Sequence, residues 1–291
     1  MSRPLPSICI LYIALGSYDM FWEGFHRSME ASFLPGYRKH YIVFTDHPPE
    51  CFAGPEITII NKQRRGWPYD SLMRFHFFND AAHLIRQFDF VFFLNANVEV
   101  RATIGPEILP HPPAGLVAAL HWAFVDKDPV VYPYERRLSS TASIPFWKGR
   151  RYFTGGMNGG TTEAFLRMSE DLAANIDADL RGGVIAKWHD ESHLNAYLLD
   201  KPVLELPPSY FRPDKRKLTI ETKIFALNKE KFGGLRNIRG MTPRQPLFEQ
   251  SLSLQDPVLW ALRAVPSRWR RAFFMRAASG TKRDLEKPKT A

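Results

Sequence analysis

The segment FVFFL at residues 90–94 constrains the fold of this chain more than any other feature of the sequence. Five apolar residues follow one another without a break and then stop at Asn95-Ala96-Asn97. A continuous apolar run of this length indicates a strand that is buried on both faces, because a half-exposed strand would alternate apolar and polar residues. The polar residues directly after it predict a site at the carboxyl end of that strand.

Similar strand-like segments recur along the chain, with helix-like segments between them. Strands are predicted at residues 8–15, 41–45, 57–60, 90–94 and 116–120, and helices at 19–33, 71–88, 162–178 and 188–199. This alternation predicts an α/β fold whose sheet is parallel and covered by helices on both faces. The Gly-Gly steps at 155–156 and 159–160 are typical of a loop, or of backbone that approaches a ligand closely.

Composition and charge favour one main domain with an appended tail. The chain has 291 residues, 45% of them hydrophobic, and a net charge of +9. Residues 263–291 hold nine Lys or Arg and two acidic residues, so this stretch carries +7 and residues 1–262 carry only about +2. We therefore predict a main domain over 1–245 that does not bind nucleic acid, and a basic, aromatic tail over 246–291.

The tail and the cysteines bear on location. From Trp260 onward, aromatic and arginine residues interleave, a pattern that predicts contact with an anionic membrane; a solvated basic tail is the alternative. Cys9 and Cys51 form neither a disulfide framework nor a metal spacing, which favours a reducing compartment. The apolar run at 8–15 is too short to span a bilayer and lacks a clear cleavage site. The expected location is the cytoplasm, with peripheral contact at the inner face of the membrane.

The densest polar cluster is WHDESH at residues 188–193. His189 and His193 would share one helix face, but the zinc-protease pattern needs Glu directly after the first His, where this chain has Asp190. A solvent-facing helix start is a second interpretation, since acidic residues are common there. A third is a sugar site, in which Glu191 stabilises an oxocarbenium ion and Trp188 packs on the apolar face of a hexose.

Several segments together resemble those of one enzyme family. They are FTD at 44–46, LHW at 120–122, YERR at 134–137, TGGMNGG at 154–160 and WHDESHLNAYLL at 188–199. Over about residues 8–239 the chain resembles family 6 glycosyltransferases, the group of the histo-blood-group A and B transferases and the α1,3-galactosyltransferases. The resemblance implies a single-domain, GT-A-type, Rossmann-like mixed sheet. It also implies retaining α1,3 transfer of N-acetylgalactosamine or galactose from the UDP-sugar to a galactoside or fucosylated galactoside.

The resemblance also implies roles for individual residues. Glu191 would lie under the anomeric carbon, and His121, Trp188 and Asp190 would contact the acceptor. The implied uridine residues are Ile13, Leu15 and Tyr18, and the implied sugar residues are Thr154 and Gly156. Arg74 would approach the donor, Lys229 with Arg236 or Arg239 would close over the diphosphate, and Asn95 and Asn97 could donate to phosphate or ribose oxygens. Taken alone, Tyr18 could cap a strand end, His121 could be a core histidine and Lys229 could belong to a solvated charged run.

The sequence departs from the metal-dependent members of the family at the end of the buried strand. Those members have Asp-x-Asp where this chain has Asn95 and Asn97, and divalent cations favour anionic oxygen ligands. We therefore expect no metal or other cofactor, with cationic side chains offsetting the diphosphate charge. Gly156 and Thr154 predict a roomy donor pocket that prefers UDP-N-acetylgalactosamine over UDP-galactose. The alternative hypothesis is an inactive UDP-sugar-binding or glycan-binding protein of the same fold.

Overall fold

A mixed sheet of seven strands organises the residues that the computed structural model describes, 4–213 and 221–243. Its strand order is β3-β2-β1-β4-β7-β6-β8. The strands of the chain are β1 Ile8–Ala14, β2 Lys39–Thr45, β3 Ile57–Asn61, β4 Phe90–Leu94, β5 Val98–Val100, β6 Leu116–Leu120, β7 Phe153–Thr161, β8 Val203–Leu206, β9 Arg212–Pro213 and β10 Ile224–Ala226. The α-helices are α1 Trp22–Ser32, α2 Tyr69–Leu72, α3 Arg74–Asp80, α4 Ala82–Ile85, α5 Thr162–Arg181, α6 Asp190–Leu198 and α7 Leu235–Ile238.

Both faces of the sheet are covered, as the apolar runs predict. Along β1, Ile8 and Ile10 belong to a core cluster on the α1 side, while Cys9 and Leu11 belong to a second cluster that contains residues of α3 and α5. Successive side chains of a strand point to opposite faces of the sheet. A strand that is apolar at every position must therefore be buried on both faces. The α/β prediction is confirmed.

The glycine-rich strand β7 corrects the prediction of a loop. It also makes the sheet mixed, as the family resemblance implies, rather than all-parallel, as the alternation of strands and helices predicts. It runs antiparallel to β4 on one side and to β6 on the other. Glycine is a poor strand former, so the sequence shows no strand signal here, yet two flanking strands satisfy the backbone of β7. Because β7 is antiparallel, its first residues lie at the same edge as the carboxyl end of β4, where Leu94 pairs with Met157.

The helix predicted at 71–88 is divided into α2, α3 and α4. The chain breaks at Met73, with φ −87° and ψ 12°, and at Ala81, with φ −95° and ψ 5°. The other helices are confirmed with shifted ends. Residues 19–33 form a 3₁₀ turn followed by α1, and α6 begins at Asp190 rather than at residue 188. The breaks place Arg74 at the start of its own helix.

A small second sheet brings the end of the described chain back to the main sheet. Its order is β5-β10-β9, with β10 antiparallel to β5. The amide of Asn97 donates to the carbonyl of Leu227 over 2.9 Å, and the Leu227 N–H donates to the Asn97 carbonyl over 2.7 Å. These bonds hold Leu227 beside the residues that follow β4. In the described part of the chain, no helix is both long and apolar enough to cross a membrane. The predicted tail at 246–291 lies outside the described residues.

Candidate active site

The carboxyl ends of β1 and β4, the start of β7 and the start of α6 meet at one edge of the sheet and enclose a cleft. Two adjoining cavities share Trp67, Ser71, Arg74, Asn95 and Arg239 as lining residues. The first cavity is also lined by Ile13, Leu15, Tyr18, Arg64, Asp70, Phe93, Ala96 and Lys229. The second is also lined by His121, Phe124, Pro133, Thr154, Gly155, Gly156, Trp188, His189, Asp190 and Glu191. The cleft thus brings together all predicted site residues except Asn97 and Arg236.

The first cavity combines an apolar wall with positive charge. Lys229 lies with its Nζ 2.9 Å from the hydroxyl of Tyr18 and 4.9 Å from the centre of that ring. Burial lowers the pKa of Lys229 below its ordinary value. Burial alone would raise the pKa of Tyr18, but the charges of Lys229 and Arg239 bring it below its ordinary value. An anion bound in this cavity would therefore meet an environment that favours negative charge.

Arg74 stands where the two cavities join. Its Nη1 donates to the Gly155 carbonyl over 2.8 Å, and its Nε lies 3.1 Å from Oδ2 of Asp190. Its guanidinium also lies 4.4 Å from the centre of the Phe93 ring. Side-chain exposure is only 10% for Arg74 and 7% for Asp190, so the ion pair is shielded from water. Three contacts fix the direction of this cation, which sequence alone marks only as a charge on an apolar helix.

Glu191 is held through both of its carboxylate oxygens. Tyr152 donates its hydroxyl to Oε1 over 2.7 Å, and the Gly155 N–H donates to Oε2 over 2.7 Å. Burial raises the pKa of Glu191, although these two hydrogen bonds and Arg74 each oppose that rise. Asn195 anchors the same turn, because its amide donates to the Glu191 carbonyl and to the Phe153 carbonyl over 2.9 Å each. The carboxylate therefore has a fixed position at the floor of the second cavity.

Asp190 differs from Glu191 in its environment. Burial is the main cause that raises the pKa of Asp190 to about 6, opposed by Arg74 and increased by the nearby Glu191. Two carboxyl groups side by side in a buried site cannot both carry charge without a cation. Arg74 supplies that cation by pairing with Asp190. The carboxylate of Glu191 instead accepts hydrogen bonds from two neutral donors.

The turn before α6 separates the two histidines that raised the zinc hypothesis. His189 has φ 53° and ψ −124°, an uncommon conformation for a residue with a side chain, and its ring packs edge-on against Trp67 at 4.6 Å. His193 instead lies with Nε2 3.6 Å from Oδ2 of Asp179 on α5. The two histidines do not share a helix face, so the spacing that suggested paired zinc ligands has no counterpart in the structure.

Aromatic residues wall the far side of the second cavity. His121 accepts the Ala123 N–H at Nδ1 over 3.2 Å, and its ring lies near those of Phe124 and Tyr152. Burial lowers the pKa of His121 to about 4, so the imidazole is neutral at pH 7. Since Nδ1 is an acceptor, the proton must sit on Nε2, which can donate to a ligand oxygen. Trp188 lines the same cavity.

The polar residues at the end of β4 are amides rather than carboxylates. Mg²⁺ and Mn²⁺ favour carboxylate oxygens, and Asn97 uses its amide N–H to hold Leu227, a bond that an aspartate could not donate. Within residues 4–213 and 221–243, the group of three side chains able to hold a metal is Asp19, His47 and Cys51. That group adjoins Gly16, not the end of β4.

Two predicted residues lie outside the cavities, and several lining residues were not predicted. Asn97 is buried, with its amide donating to the Leu227 carbonyl, and Arg236 is exposed, with Nη1 donating to the Thr242 carbonyl over 3.1 Å. Arg64, Trp67 and Ser71 were not predicted, although they line the cleft; Tyr152 was also missed. No sequence motif marks these residues, because their roles depend on contacts with residues far away in the sequence.

The YERR segment supports the site without entering it. Glu135 is fully buried and accepts hydrogen bonds from the side chain of Arg137 over 2.8 Å and from the Lys187 N–H over 2.9 Å. Burial would raise the pKa of Glu135, but these donors bring it below its ordinary value. Arg137 also donates to the Ile185 carbonyl. This cluster therefore fixes the loop that leads into Trp188.

We expect Glu135→Gln to lower the free energy of unfolding by about 3 kcal/mol, because an amide would face several buried N–H donors. Urea unfolding at pH 7 measures the change. The folded-state pKa of Glu135 is lowered, so its contribution is present at neutral pH and is lost as the pH falls through that value. Glu163→Gln is the control, since that side chain is 83% exposed and its pair with Arg167 should contribute little. Equal effects of the two variants would contradict this role.

Comparison with known proteins was consistent with the geometry of the cleft. A model described as glycosyltransferase family 6 matches residues 6–236. The O-antigen biosynthesis glycosyltransferase WbnI of Escherichia coli is 32% identical over 233 residues, which cover 80% of this chain and 99% of that protein.

Two mammalian proteins are similar over a smaller share of their length. The human globoside alpha-1,3-N-acetylgalactosaminyltransferase 1 is 32% identical over 219 residues, covering 72% of this chain and 62% of that protein. The rat histo-blood group ABO system transferase 1 is 29% identical over 213 residues, covering 70% of this chain and 60% of that protein. The chain therefore spans less than two thirds of these two relatives.

Proposed function

The chain belongs to glycosyltransferase family 6, and on that basis we propose that it transfers N-acetylgalactosamine, or more slowly galactose, from the UDP-sugar to a terminal β-galactoside. The proposed product is an α1,3-linked sugar formed with retention, and the acceptor is a galactoside or a fucosylated galactoside. The observation that carries this proposal is the carboxylate of Glu191, held through both oxygens where a cationic cavity meets an aromatic one.

Glu191 is proposed to stabilise the positive charge that develops at the anomeric carbon. A carboxylate fixed beneath this carbon acts on the oxocarbenium-like transition state more than on the bound sugar. Its two hydrogen bonds hold it in place before the donor arrives, so no reorganisation is needed during the reaction. A protein that only binds a sugar gains nothing from a buried charge at this position, which favours the enzyme over the inactive alternative.

The leaving UDP is proposed to be stabilised by side-chain cations. Arg74, Lys229 and Arg239 line the first cavity. Arg74 presents its fork at the junction of the cavities, where the bond between sugar and phosphate would lie. Fixed cations in a site with little water stabilise a developing anion more strongly than mobile ions in solution do. Tyr18, Ile13 and Leu15 form the wall proposed to hold uridine.

The acceptor is proposed to enter the second cavity. The flat surface of Trp188 suits the apolar face of a galactose ring. His121 is neutral and carries its proton on Nε2, so it can donate to a hydroxyl oxygen of the acceptor. Asp190 can accept a hydrogen bond from a neighbouring hydroxyl while it remains paired with Arg74.

The choice of donor sugar is proposed to depend on Thr154 and Gly156, with one constraint that sequence did not reveal. A Cβ at Gly156 would lie 2.2 Å from Cζ of Phe211 and 2.8 Å from the amide nitrogen of Asn95. An alanine there would displace Phe211 or Asn95 as well as narrow the pocket. Thr154 accepts the Gly156 N–H at Oγ1 over 3.2 Å and can still donate its hydroxyl proton to an acetamido oxygen.

We expect transfer to proceed in EDTA, because the residues at the end of β4 supply no anionic ligand. The test measures release of UDP with UDP-N-acetylgalactosamine or UDP-galactose and a panel of galactosides, with chelator or with Mn²⁺. The expected result is equal turnover in both conditions and faster use of UDP-N-acetylgalactosamine. Turnover that disappears in EDTA and returns with Mn²⁺ would contradict metal independence, and absence of transfer to every galactoside would contradict the proposed acceptor.

A further inference from the structure

The guanidinium of Arg64 lies between two glycines that are far apart in sequence. A Cβ placed on Gly16 would be 2.5 Å from Nη1 of Arg64, and a Cβ placed on Gly240 would be 2.8 Å from Nη2. A Cβ atom does not approach another heavy atom this closely without a bond, so neither position can carry a side chain while Arg64 keeps its place. Both glycines also have positive φ values, 60° and 61°, which favour glycine.

Asp70 fixes the orientation of this guanidinium. Its Oδ2 accepts from Nε of Arg64 over 3.1 Å, and its Oδ1 accepts the N–H groups of Arg65 and Gly66 over 2.7 and 2.9 Å. The carboxylate is therefore anchored to the backbone of the same loop. The flat face of a guanidinium is weakly hydrated and can pack against bare backbone, which the compact ammonium of lysine cannot do.

A second contact joins the same two parts of the chain. The guanidinium of Arg239 lies 3.7 Å from the centre of the Trp67 ring. Trp67 and Arg64 of one loop thus contact Arg239 and Gly240, which are consecutive residues of the segment 229–240. This segment also carries Lys229, whose Nζ contacts Tyr18. Lys229 begins a 3₁₀ turn, Lys229–Phe232, and Arg239 directly follows the short helix α7; both cations line the first cavity.

We propose that Arg64 is a positioning residue for the UDP-sugar donor: by packing between Gly16 and Gly240 it fastens residues 229–240 to the end of β1 and so holds Lys229 and Arg239 at the donor cavity. This inference rests on the proposed function. A contact that stabilises this arrangement of residues 229–240 lowers the free energy of the state that binds the donor, and affinity increases accordingly. Arg64 would act through the placement of two other cations.

The main test compares Arg64→Ala and Arg64→Lys with wild type. UDP affinity is measured by titration calorimetry, and the KM of the donor, the KM of the acceptor and kcat are measured separately. We expect Arg64→Ala to raise the UDP Kd and the donor KM about tenfold and to leave the acceptor KM unchanged. Arg64→Lys should not restore either value, because it keeps the charge but lacks the flat fork. Arg86→Ala, at a surface arginine with 64% exposure, controls for loss of one charge.

A glycine pair provides an independent test. Gly240→Ala would push the guanidinium away while the arginine itself is kept, and it should raise the donor KM as Arg64→Ala does. The donor KM of the double variant should be no higher than that of either single variant, since both substitutions remove the same contact. Gly36→Ala is the matched control, because Gly36 also has a positive φ, 84°, but has no atom within 4 Å of its Cβ. It should leave the donor KM unchanged.

The outcomes separate this inference from the proposed function. A wild-type protein that neither binds UDP nor transfers a sugar would overturn the proposed function and the inference with it. An active wild type whose Arg64→Ala variant keeps the wild-type UDP Kd would overturn the inference alone. Full recovery in Arg64→Lys would show that Arg64 acts as a simple charge. Additive effects in the double variant would show that Arg64 and Gly240 act independently. Either result would also overturn the inference.

Discussion

Glu191→Gln is expected to lower kcat by about 10²-fold or more and to leave UDP affinity within about twofold of wild type. The glutamine oxygen can accept the Gly155 N–H, and its NH₂ can donate to the hydroxyl of Tyr152 once that hydroxyl rotates. The side chain therefore keeps its place and loses only its charge. Because the charge acts on the oxocarbenium-like transition state, the loss should appear in kcat rather than in donor binding. Steady-state kinetics and calorimetry with UDP measure both.

Tyr152→Phe separates the position of the carboxylate from its charge. The Tyr152 hydrogen bond opposes the rise in the pKa of Glu191, so its removal should raise that pKa further. When the pH is lowered, the variant should therefore begin to lose activity at a higher pH than wild type does. At high pH, its activity should be reduced less than that of Glu191→Gln. Turnover of Glu191→Gln near the wild-type rate would remove this carboxylate from the mechanism.

The sequence predicts the parts of the fold that depend on local pattern. The strands β1 to β4 and β6 are mostly runs of apolar residues. Such runs are typical of strands whose two faces are both covered by other parts of the fold. The strand β7 escapes prediction because four of its residues are glycine, and only the backbones of β4 and β6 make it a strand. Its antiparallel direction matters to the site, since it delivers Thr154 and Gly156 to the edge where Asn95 lies.

The site is predictable where a motif supplies the residue and unpredictable where packing does. Glu191 and Trp188 belong to a polar cluster that stands out in the sequence. Arg64 does not, because its meaning depends on Gly16 and Gly240, which meet it only in the folded chain. Asn97 shows the opposite case: the motif marks it as a donor-binding residue, and only the folded chain shows that its amide N–H also holds Leu227. Residue type alone could not distinguish these uses.

The cleft has an uneven distribution of charge that bears on the mechanism. Two carboxyl groups, Asp190 and Glu191, lie side by side, and Arg74 contacts only the first of them directly. If Arg74 neutralises Asp190, Glu191 becomes the uncompensated charge closest to the proposed sugar. Arg74 then has two roles, stabilising the leaving phosphate and keeping Asp190 ionised. Both roles depend on the directions of its donors rather than on charge alone.

We therefore expect Arg74→Lys to lower kcat/KM by about 10²-fold, and Arg74→Ala by more. A lysine keeps the charge, but one ammonium cannot reproduce the fork that contacts the Gly155 carbonyl and Asp190 together. In the alanine variant Asp190 loses the cation that opposes the rise in its pKa, so this pKa should rise above the wild-type value of about 6. The variant should consequently need a higher pH than wild type to reach its maximal rate.

The kinetic constants and their pH profiles distinguish these effects from simple loss of structure. Arg167→Lys is the matched control, because Arg167 lies on the surface with 68% exposure and pairs only with Glu163. It should leave kcat and KM unchanged. Thermal unfolding should show that Arg74→Lys folds, since a buried pair with Asp190 can still form. An Arg74→Lys variant within about twofold of wild type would contradict the argument, because it would mean that charge without a directed fork is sufficient at the junction of the cavities.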